Sequence, residues 1–139
     1  MKKQRIYIAG SFERRLNISS IADTLHQRGH ELTSKWFTQP PLDSFTNSDK
    51  RNEEMKNRYN KAVLGVNDST LLIVVFEPDL PIQGALVELG IACALKTITL
   101  SNIPRIISLG EPAKWNRVMF SQIEVRYNTL MDLMQGEEL

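Results

Sequence analysis

Glu88 is the residue of this chain whose surroundings most clearly suggest chemistry. It is the only charged side chain in the apolar run of residues 84–95. Burying a carboxylate is costly unless a partner or a function compensates for the lost hydration. A strand-like run, residues 70–76, comes shortly before it. We therefore expect Glu88 in the first turns of a helix at the mouth of a sheet, where α/β proteins bind ligands.

Two more loops are predicted at the carboxyl ends of strands, where they can converge on one crevice with the loop before Glu88. One follows Tyr7 and begins with Gly10, Ser11 and Phe12, and the other spans residues 110–119. Gly10 has no Cβ and would let a ligand approach the backbone closely. Ser11 and the amides that open the next helix could bind an anion such as phosphate, with help from Arg14. A plain turn and helix cap is the alternative reading of this loop.

Several weaker candidates surround these loops. Asp68 precedes the central strand, where it is either a turn residue or a catalytic acid. Trp36 ends the second predicted strand and could stack on a planar ring, or it could pack in the core. Asp79 and Gln83 lie in the loop that leads to Glu88.

Composition excludes several classes of partner. The 139 residues predict a single domain, 1–139, and the net charge of +1 gives no electrostatic case for nucleic acid or an anionic membrane. The single cysteine, Cys93, allows no disulfide framework, and neither histidine has the spaced partners of a zinc site. No segment has the length of a membrane span or the pattern of a secretory signal, so we expect a cytoplasmic protein.

Strand-like and helix-like segments alternate along the whole chain. The predicted strands are residues 5–9, 31–36, 70–76, 97–100 and 105–109. The predicted helices include one that carries Glu88 to about Lys96 and a final one at residues 127–135. This alternation indicates an α/β fold with a doubly wound parallel sheet of about five strands and helices on both faces.

The spacing of three elements resembles that of a known family. They are residues 6–12, the pair Asn67 and Asp68 before an apolar strand, and Gly84 four residues before the Glu88-Leu89-Gly90 element. Together they resemble the nucleoside 2-deoxyribosyltransferase superfamily over most of the chain. The resemblance implies a Rossmann-like or flavodoxin-like fold. It also implies cleavage or transfer at the N-glycosidic bond of a small-molecule nucleoside or its 5'-monophosphate.

The resemblance also implies roles for individual residues. Glu88 matches the family's nucleophile, and Tyr7 matches an aromatic hydroxyl close to it. Gly10 and Ser11 match its small-residue turn. In the family a neighbouring subunit completes the pocket, and the matching tract here runs roughly from Asn116 to Met119. A homodimer or higher homo-oligomer is therefore implied, and no metal or organic cofactor is needed.

Two departures from the family pattern leave alternatives open. Ile82 stands where many members carry an acidic or serine residue, and Asn60 stands where many carry an aspartate. An amide keeps some hydrogen bonding but loses the charge. Asp79, Asp68 and Asn60 are the candidates for giving the leaving base a proton. The alternatives to an enzyme are a catalytically impaired nucleotide-binding protein of the same fold and an oligomeric scaffold with Glu88 in an ion pair.

Overall fold

The computed structural model describes residues 2–77, 83–111 and 118–139, and within them five strands form one parallel sheet. The strands are β1 (Arg5–Ala9), β2 (Glu31–Leu32), β3 (Leu71–Val75), β4 (Arg105–Leu109) and β5 (Val125–Tyr127). The helices are α1 (Arg15–Gln27), α2 (Ser48–Asp68), α3 (Gln83–Thr99) and α4 (Leu130–Gly136). The strand order is β2-β1-β3-β4-β5. This is a doubly wound order, so the predicted fold class is confirmed.

Helices cover both faces of the sheet because its strands are apolar on both sides. Along β1, Ile6 and Ile8 pack in one core cluster with residues of α1 and α4. Tyr7 and Ala9 point the other way, into a second cluster with residues of α2 and α3. Alternation of side chains along a strand thus places Tyr7 on the α2–α3 face, which also carries Glu88.

The second strand is shorter than predicted. We expected residues 31–36, but β2 ends at Leu32 and Trp36 lies in a 3₁₀ turn, Trp36–Thr38. On the edge of β1 that faces β2, Ile6 O accepts a hydrogen bond from the amide of Thr33. Carbonyls of alternate residues face this edge, so Ile8 O would accept the next amide of a longer β2. The indole Nε1 of Trp36 donates to Ile8 O at 2.7 Å instead. A side chain therefore takes the position of a ladder amide and turns the chain away from the sheet.

The prediction of a strand at residues 97–100 is wrong, because α3 continues to Thr99. Its β-branched threonines suggested a strand. In the helix their hydroxyls bond back one turn, Thr97 to Cys93 O at 2.9 Å and Thr99 to Leu95 O at 2.6 Å. This local bonding satisfies the hydroxyls within the helix.

The fifth strand lies later in the chain than expected. Residues 125–127 form β5, so the predicted helix at residues 127–135 starts too early. The last helix, α4, begins at Leu130, and the Thr129 hydroxyl caps it by accepting the Asp132 amide at 3.1 Å. A threonine at this position is a common helix start, and it marks the boundary that hydropathy missed.

Glu137 connects α4 to the sheet. Arg105 Nε donates to Glu137 Oε1 at 2.7 Å, and the Tyr127 hydroxyl donates to Oε2 at 2.5 Å. Burial alone would raise the pKa of Glu137, but the hydrogen bonds from Arg105 and Tyr127 outweigh it and lower that pKa. Ionised Glu137 therefore stabilises the fold above its unfolded-state pKa, and the contribution is lost as pH falls through the lowered folded-state pKa.

We predict that Glu137→Gln lowers the free energy of unfolding at pH 7 by about 1.5–3 kcal/mol, the range for hydrogen bonds to charged groups. The difference from wild type should shrink in acid, where Glu137 is protonated in both folded and unfolded chains. Chemical denaturation at pH 7 and pH 3 measures both effects. The exposed neighbour Glu138 provides the control variant, Glu138→Gln. Equal stabilities for Glu137→Gln and Glu138→Gln at pH 7 would contradict the prediction.

Candidate active site

A cavity of about 880 Å³ lies at the carboxyl end of β1, on the α2–α3 face of the sheet. Its wall combines the turn after β1, the segment after β2, one face of α2, and Glu88 from α3. The lining includes Tyr7, Gly10, Ser11, Phe12, Glu13, Thr33, Ser34, Lys35, Trp36, Arg58, Lys61, Leu64, Gly65, Asp68 and Glu88. A cavity of this size is in the range of small-molecule binding sites.

Glu88 and Tyr7 form a hydrogen-bonded pair in this cavity. The Tyr7 hydroxyl donates to Glu88 Oε1 at 2.9 Å, and Tyr7 is 1% exposed. Glu88 Oε2 is buried and has no hydrogen-bond partner among the residues that the structure describes. None of the ion pairs found in that part of the chain involves Glu88. Within the described part of the chain, one carboxylate oxygen is thus fixed by Tyr7 and the other accepts no hydrogen bond.

Burial sets the charge state of the pair. Desolvation raises the pKa of Glu88 to about 7, although hydrogen bonds from Tyr7 and from its own backbone oppose the shift. Burial and the adjacent carboxylate raise the pKa of Tyr7 further above its usual value, so its hydroxyl stays a donor. Near neutral pH the Glu88 carboxyl can therefore be ionised or protonated, and groups poised in this way cluster at functional sites.

Aromatic rings form one wall of the cavity. The rings of Phe12 and Trp36 lie 6.4 Å apart at 37°, and Trp36 contacts Phe37 edge-on at 5.8 Å. The guanidinium of Arg15, the first residue of α1, lies 4.6 Å from the centre of the Phe12 ring. This wall offers an apolar surface for a planar ring.

Comparison with known proteins finds similarity to solved structures but not to protein-family models or curated sequences. No protein-family model matches the chain, and no curated protein matches its sequence. Among solved structures, the CMP N-glycosidase BcmB of Clostridium botulinum is similar, with a TM-score of 0.54 and 17% identity over 96% of this chain and 98% of that one. The chain shares this glycosidase's fold. At 17% identity the similarity is one of fold, and it covers nearly the full length of both chains.

The turn after β1 lies at the cavity as predicted, but its glycine has a further role. A Cβ on Gly10 would lie 2.5 Å from Ile18 Cδ1, so this glycine allows α1 to pack closely under the turn. Ser11 Oγ accepts the Glu13 amide at 3.3 Å and caps the short 3₁₀ turn there. Arg14 is not among the residues that line the cavity.

The structure separates two of the predicted polar residues. Asp68, at the end of α2, lines the cavity and lies 3.9 Å from Arg5 Nε, in a solvent-exposed pair that contributes little to stability. Asn60 lies on α2 but lines a different, shallow hollow beside Phe45. The two are therefore not brought together around Glu88.

Five predicted site residues fall outside what the structure describes. Asp79 and Asn116 lie outside the described residues. For Gln83, Gly84 and Met119 the structure describes the backbone alone. Their proposed contacts with a substrate remain predictions.

Sequence reasoning missed several cavity residues on α2. The missed residues Arg58, Lys61 and Gly65 line the cavity together with Asp68, which the sequence did suggest. Their spacing of three or four residues places them on one helix face, and this periodicity was a usable signal once Asp68 was suspected. Ser34 and Thr33 gave no such signal because they fell within a predicted strand.

The described residues contain no cluster of histidine, cysteine and acidic side chains that could hold a metal ion. Among the same residues, no helix combines the length and apolarity needed to cross a bilayer.

Proposed function

We propose that the protein cleaves or transfers at the N-glycosidic bond of a nucleoside or its 5'-monophosphate, with Glu88 as the nucleophile. The observation that carries the proposal is the Glu88 carboxylate, which lines the cavity with one oxygen held by Tyr7 and the other without a hydrogen-bond partner among the described residues. The similar structure of a CMP N-glycosidase supports it at the level of fold. So does the resemblance of residues 6–12 and 84–90 to the deoxyribosyltransferase superfamily.

In the proposed reaction, ionised Glu88 attacks the anomeric carbon of the sugar. The new carbon–oxygen bond forms as the carbon–nitrogen bond breaks, and the bonding electron pair leaves with the base. Positive charge on the sugar ring in the transition state is stabilised by the carboxylate. Water or a second base then attacks the glycosyl ester, and Glu88 returns to its carboxylate form.

The leaving base needs a proton, and Asp68 is our candidate donor. Of the three acids and amides considered from the sequence, Asp79 is outside the described residues and Asn60 lies in another hollow. Asp68 lines the cavity with Glu88. A positioned acid of this kind typically contributes about 10²–10⁴-fold to rate.

We propose that two lysines bind the phosphate of a phosphorylated substrate, in a cavity whose lining also carries the acidic residues Glu13, Asp68 and Glu88. Lys35, Arg58 and Lys61 line the cavity. Arg58 is already engaged, because it donates to Glu54 Oε1 at 2.9 Å and to Pro40 O at 2.7 Å. Lys35 and Lys61 are exposed and are the cations we assign to a 5'-phosphate.

The Phe12 ring is proposed to stack on the base, and this can be tested separately. We predict that Phe12→Ala raises KM roughly tenfold with a smaller change in kcat, since base–aromatic stacking is worth about 1–3 kcal/mol. Steady-state kinetics on the best substrate measures this. Tyr59→Ala is the control, because Tyr59 is an exposed aromatic residue of α2 that is not among the residues lining the cavity. An unchanged KM in Phe12→Ala would remove Phe12 from the base site.

The proposed activity is tested by incubating the protein with nucleosides and nucleoside 5'-monophosphates, including CMP and dCMP, and measuring free base by chromatography. Repeating the assay with a second base present distinguishes transfer from hydrolysis. Release of base from at least one substrate supports the proposal. Absence of base from all of them overturns it.

The second candidate is a nucleotide-binding protein without turnover, and the amide at Asn60 motivates it. In that case calorimetry would detect nucleotide binding while the base-release assay stays negative.

We also propose that the chain forms a homodimer or higher homo-oligomer. Leu64 on α2 and Val87 on α3 are 66% and 51% exposed, and Leu64 also lines the cavity. The proposal rests on the family resemblance, and we take these two exposed side chains as candidates for the interface, since apolar surface patches mark sites of protein association. Sedimentation equilibrium of wild type and Val87→Asp tests the proposal, and a wild-type monomer at micromolar concentration contradicts it.

A further inference from the structure

The ring of Tyr7 is held from one side by a helix backbone. A Cβ built on Gly65 would lie 2.9 Å from Tyr7 Cε2 and 3.0 Å from Cδ2, and 3.4 Å from Ser34 Cβ. The two distances to the ring are at or close to the shortest that real Cβ atoms show, so the ring packs directly on the α2 backbone. Any side chain larger than hydrogen at position 65 must move a ring that is 1% exposed.

Ser34 lies beside the same tyrosine. Its Cβ is 3.4 Å from the Cβ position of Gly65, and it lines the cavity together with Gly65 and Tyr7. Burial and Glu88 raise the pKa of Tyr7, and the Ser34 side chain opposes that shift. The Tyr7 hydroxyl donates to Glu88 Oε1 at 2.9 Å. Gly65 and Ser34 therefore both border the tyrosine whose hydroxyl holds the carboxylate.

The early end of β2 provides this position for Ser34. Ladder pairing stops after Thr33, whose amide bonds to Ile6 O, and the Trp36 indole takes the next acceptor. The intervening residues leave the sheet edge, and Ser34 lines the cavity. A longer strand would have continued along the edge of β1 instead.

We propose that Ser34 and Gly65 are positioning residues that fix the Tyr7 hydroxyl on Glu88. Gly65 sets the distance of the ring from α2, and Ser34 directs the phenolic proton toward the carboxylate. Neither is proposed to touch the reacting atoms. The inference rests on the proposed function for its effect on rate, but the geometry of the hydrogen bond can be measured without turnover.

The test is the titration of Glu88 in protein labelled with ¹³C at glutamate carboxyls, followed by NMR, with the Glu88 signal assigned from Glu88→Gln. In Gly65→Ala the displaced ring should weaken the hydrogen bond and raise the Glu88 pKa by about half a unit or more. This is part of the one to two units that a charged hydrogen bond is worth. If the enzyme is active, the acid limb of kcat/KM should move by the same amount.

Asn52→Ala is the matched control for Gly65→Ala. Asn52 is an exposed residue of the same helix, and both substitutions replace a poor helix former by alanine. Asn52→Ala should leave the Glu88 titration unchanged. Ser34→Ala is the second test and remains informative if Gly65→Ala does not fold, because it removes only a hydroxyl. It should raise the Glu88 pKa in the same direction.

A double-mutant comparison separates positioning from general damage. In a Tyr7→Phe background there is no phenolic hydroxyl, so adding Gly65→Ala or Ser34→Ala should shift the Glu88 titration no further. The inference is overturned if both single variants titrate like wild type, or if their shifts persist in full without the Tyr7 hydroxyl. A shift in the titration of a protein that releases no base would support the inference while refuting the proposed reaction.

Discussion

Glu88→Gln should reduce base release by at least about a thousandfold, a loss of about 4 kcal/mol of transition-state stabilisation. The amide keeps the shape of the side chain but carries no negative charge. It can neither stabilise a cationic sugar nor form the glycosyl ester. Single-turnover measurements with saturating enzyme isolate this chemical step. The exposed α2 residue Glu53 gives a control, Glu53→Gln, that should keep wild-type rates.

The same variant should gain stability at alkaline pH. The folded-state pKa of Glu88 is raised from 4.5 to about 7, so ionising it costs the folded protein free energy. Wild-type stability is therefore lost as pH rises from about 4.5 to about 7, and the deficit stays constant above that. Glu88→Gln avoids this cost and should be more stable at pH 8 by up to about 3 kcal/mol.

Chemical denaturation at pH 5 and pH 8 tests this second effect. A fall in stability at pH 8, together with retained activity, would instead indicate that Glu88 is a structural residue. The expected combination of lost activity and gained stability is typical of groups that are kept for function.

On the acid side of its pH profile, the rate of base release should rise with pH through the titration of Glu88. The nucleophile must be ionised, and its raised pKa places the acid limb of kcat/KM near neutrality. Tyr7→Phe removes a hydrogen bond that favours the ionised form. Its acid limb should therefore lie about one to two pH units higher than that of wild type, because a hydrogen bond to a charged group is worth about 1.5–3 kcal/mol.

At pH 6 this shift corresponds to a rate roughly ten- to a hundredfold below wild type, since each pH unit below the limb costs a factor of about ten. Tyr127→Phe is the matched control. This substitution also removes a tyrosine hydroxyl that donates to a glutamate, Glu137. Neither Tyr127 nor Glu137 is among the residues that line the cavity. Coincident pH profiles for Tyr7→Phe and wild type would show that the Tyr7 hydroxyl does not tune the nucleophile.

The sequence was sufficient to predict the parallel α/β class and the strands β1, β3 and β4, because these depend on patterns of apolar residues. The apolar run of β3 predicts a central strand. A lone acid in an apolar helix is visible in any sequence. The hydrogen bond of 2.9 Å between Glu88 and Tyr7 agrees with the closeness that the family resemblance implied.

The errors came from side chains that replace backbone partners. The Trp36 indole takes an acceptor that a ladder amide would take, and threonine hydroxyls bond back within α3. Propensity counts β-branched and aromatic residues as strand formers and contains no information about such bonds. Gly65 was missed for a related reason. A glycine within a helix indicates weak helix formation, and its contact with Tyr7 across 58 residues of chain is visible only in three dimensions.

The Trp36 indole also affects how the folded molecule behaves in concentrated solution. An unpaired outer strand is a template on which another polypeptide can add, and proteins avoid aggregation by keeping such strands short. Here β2 ends the sheet with two residues, Glu31 and Leu32, and then the chain turns away. An incoming strand finds too few free amides and carbonyls there to pair with. The aromatic residue that shapes the cavity thus also blocks growth of the sheet from this side.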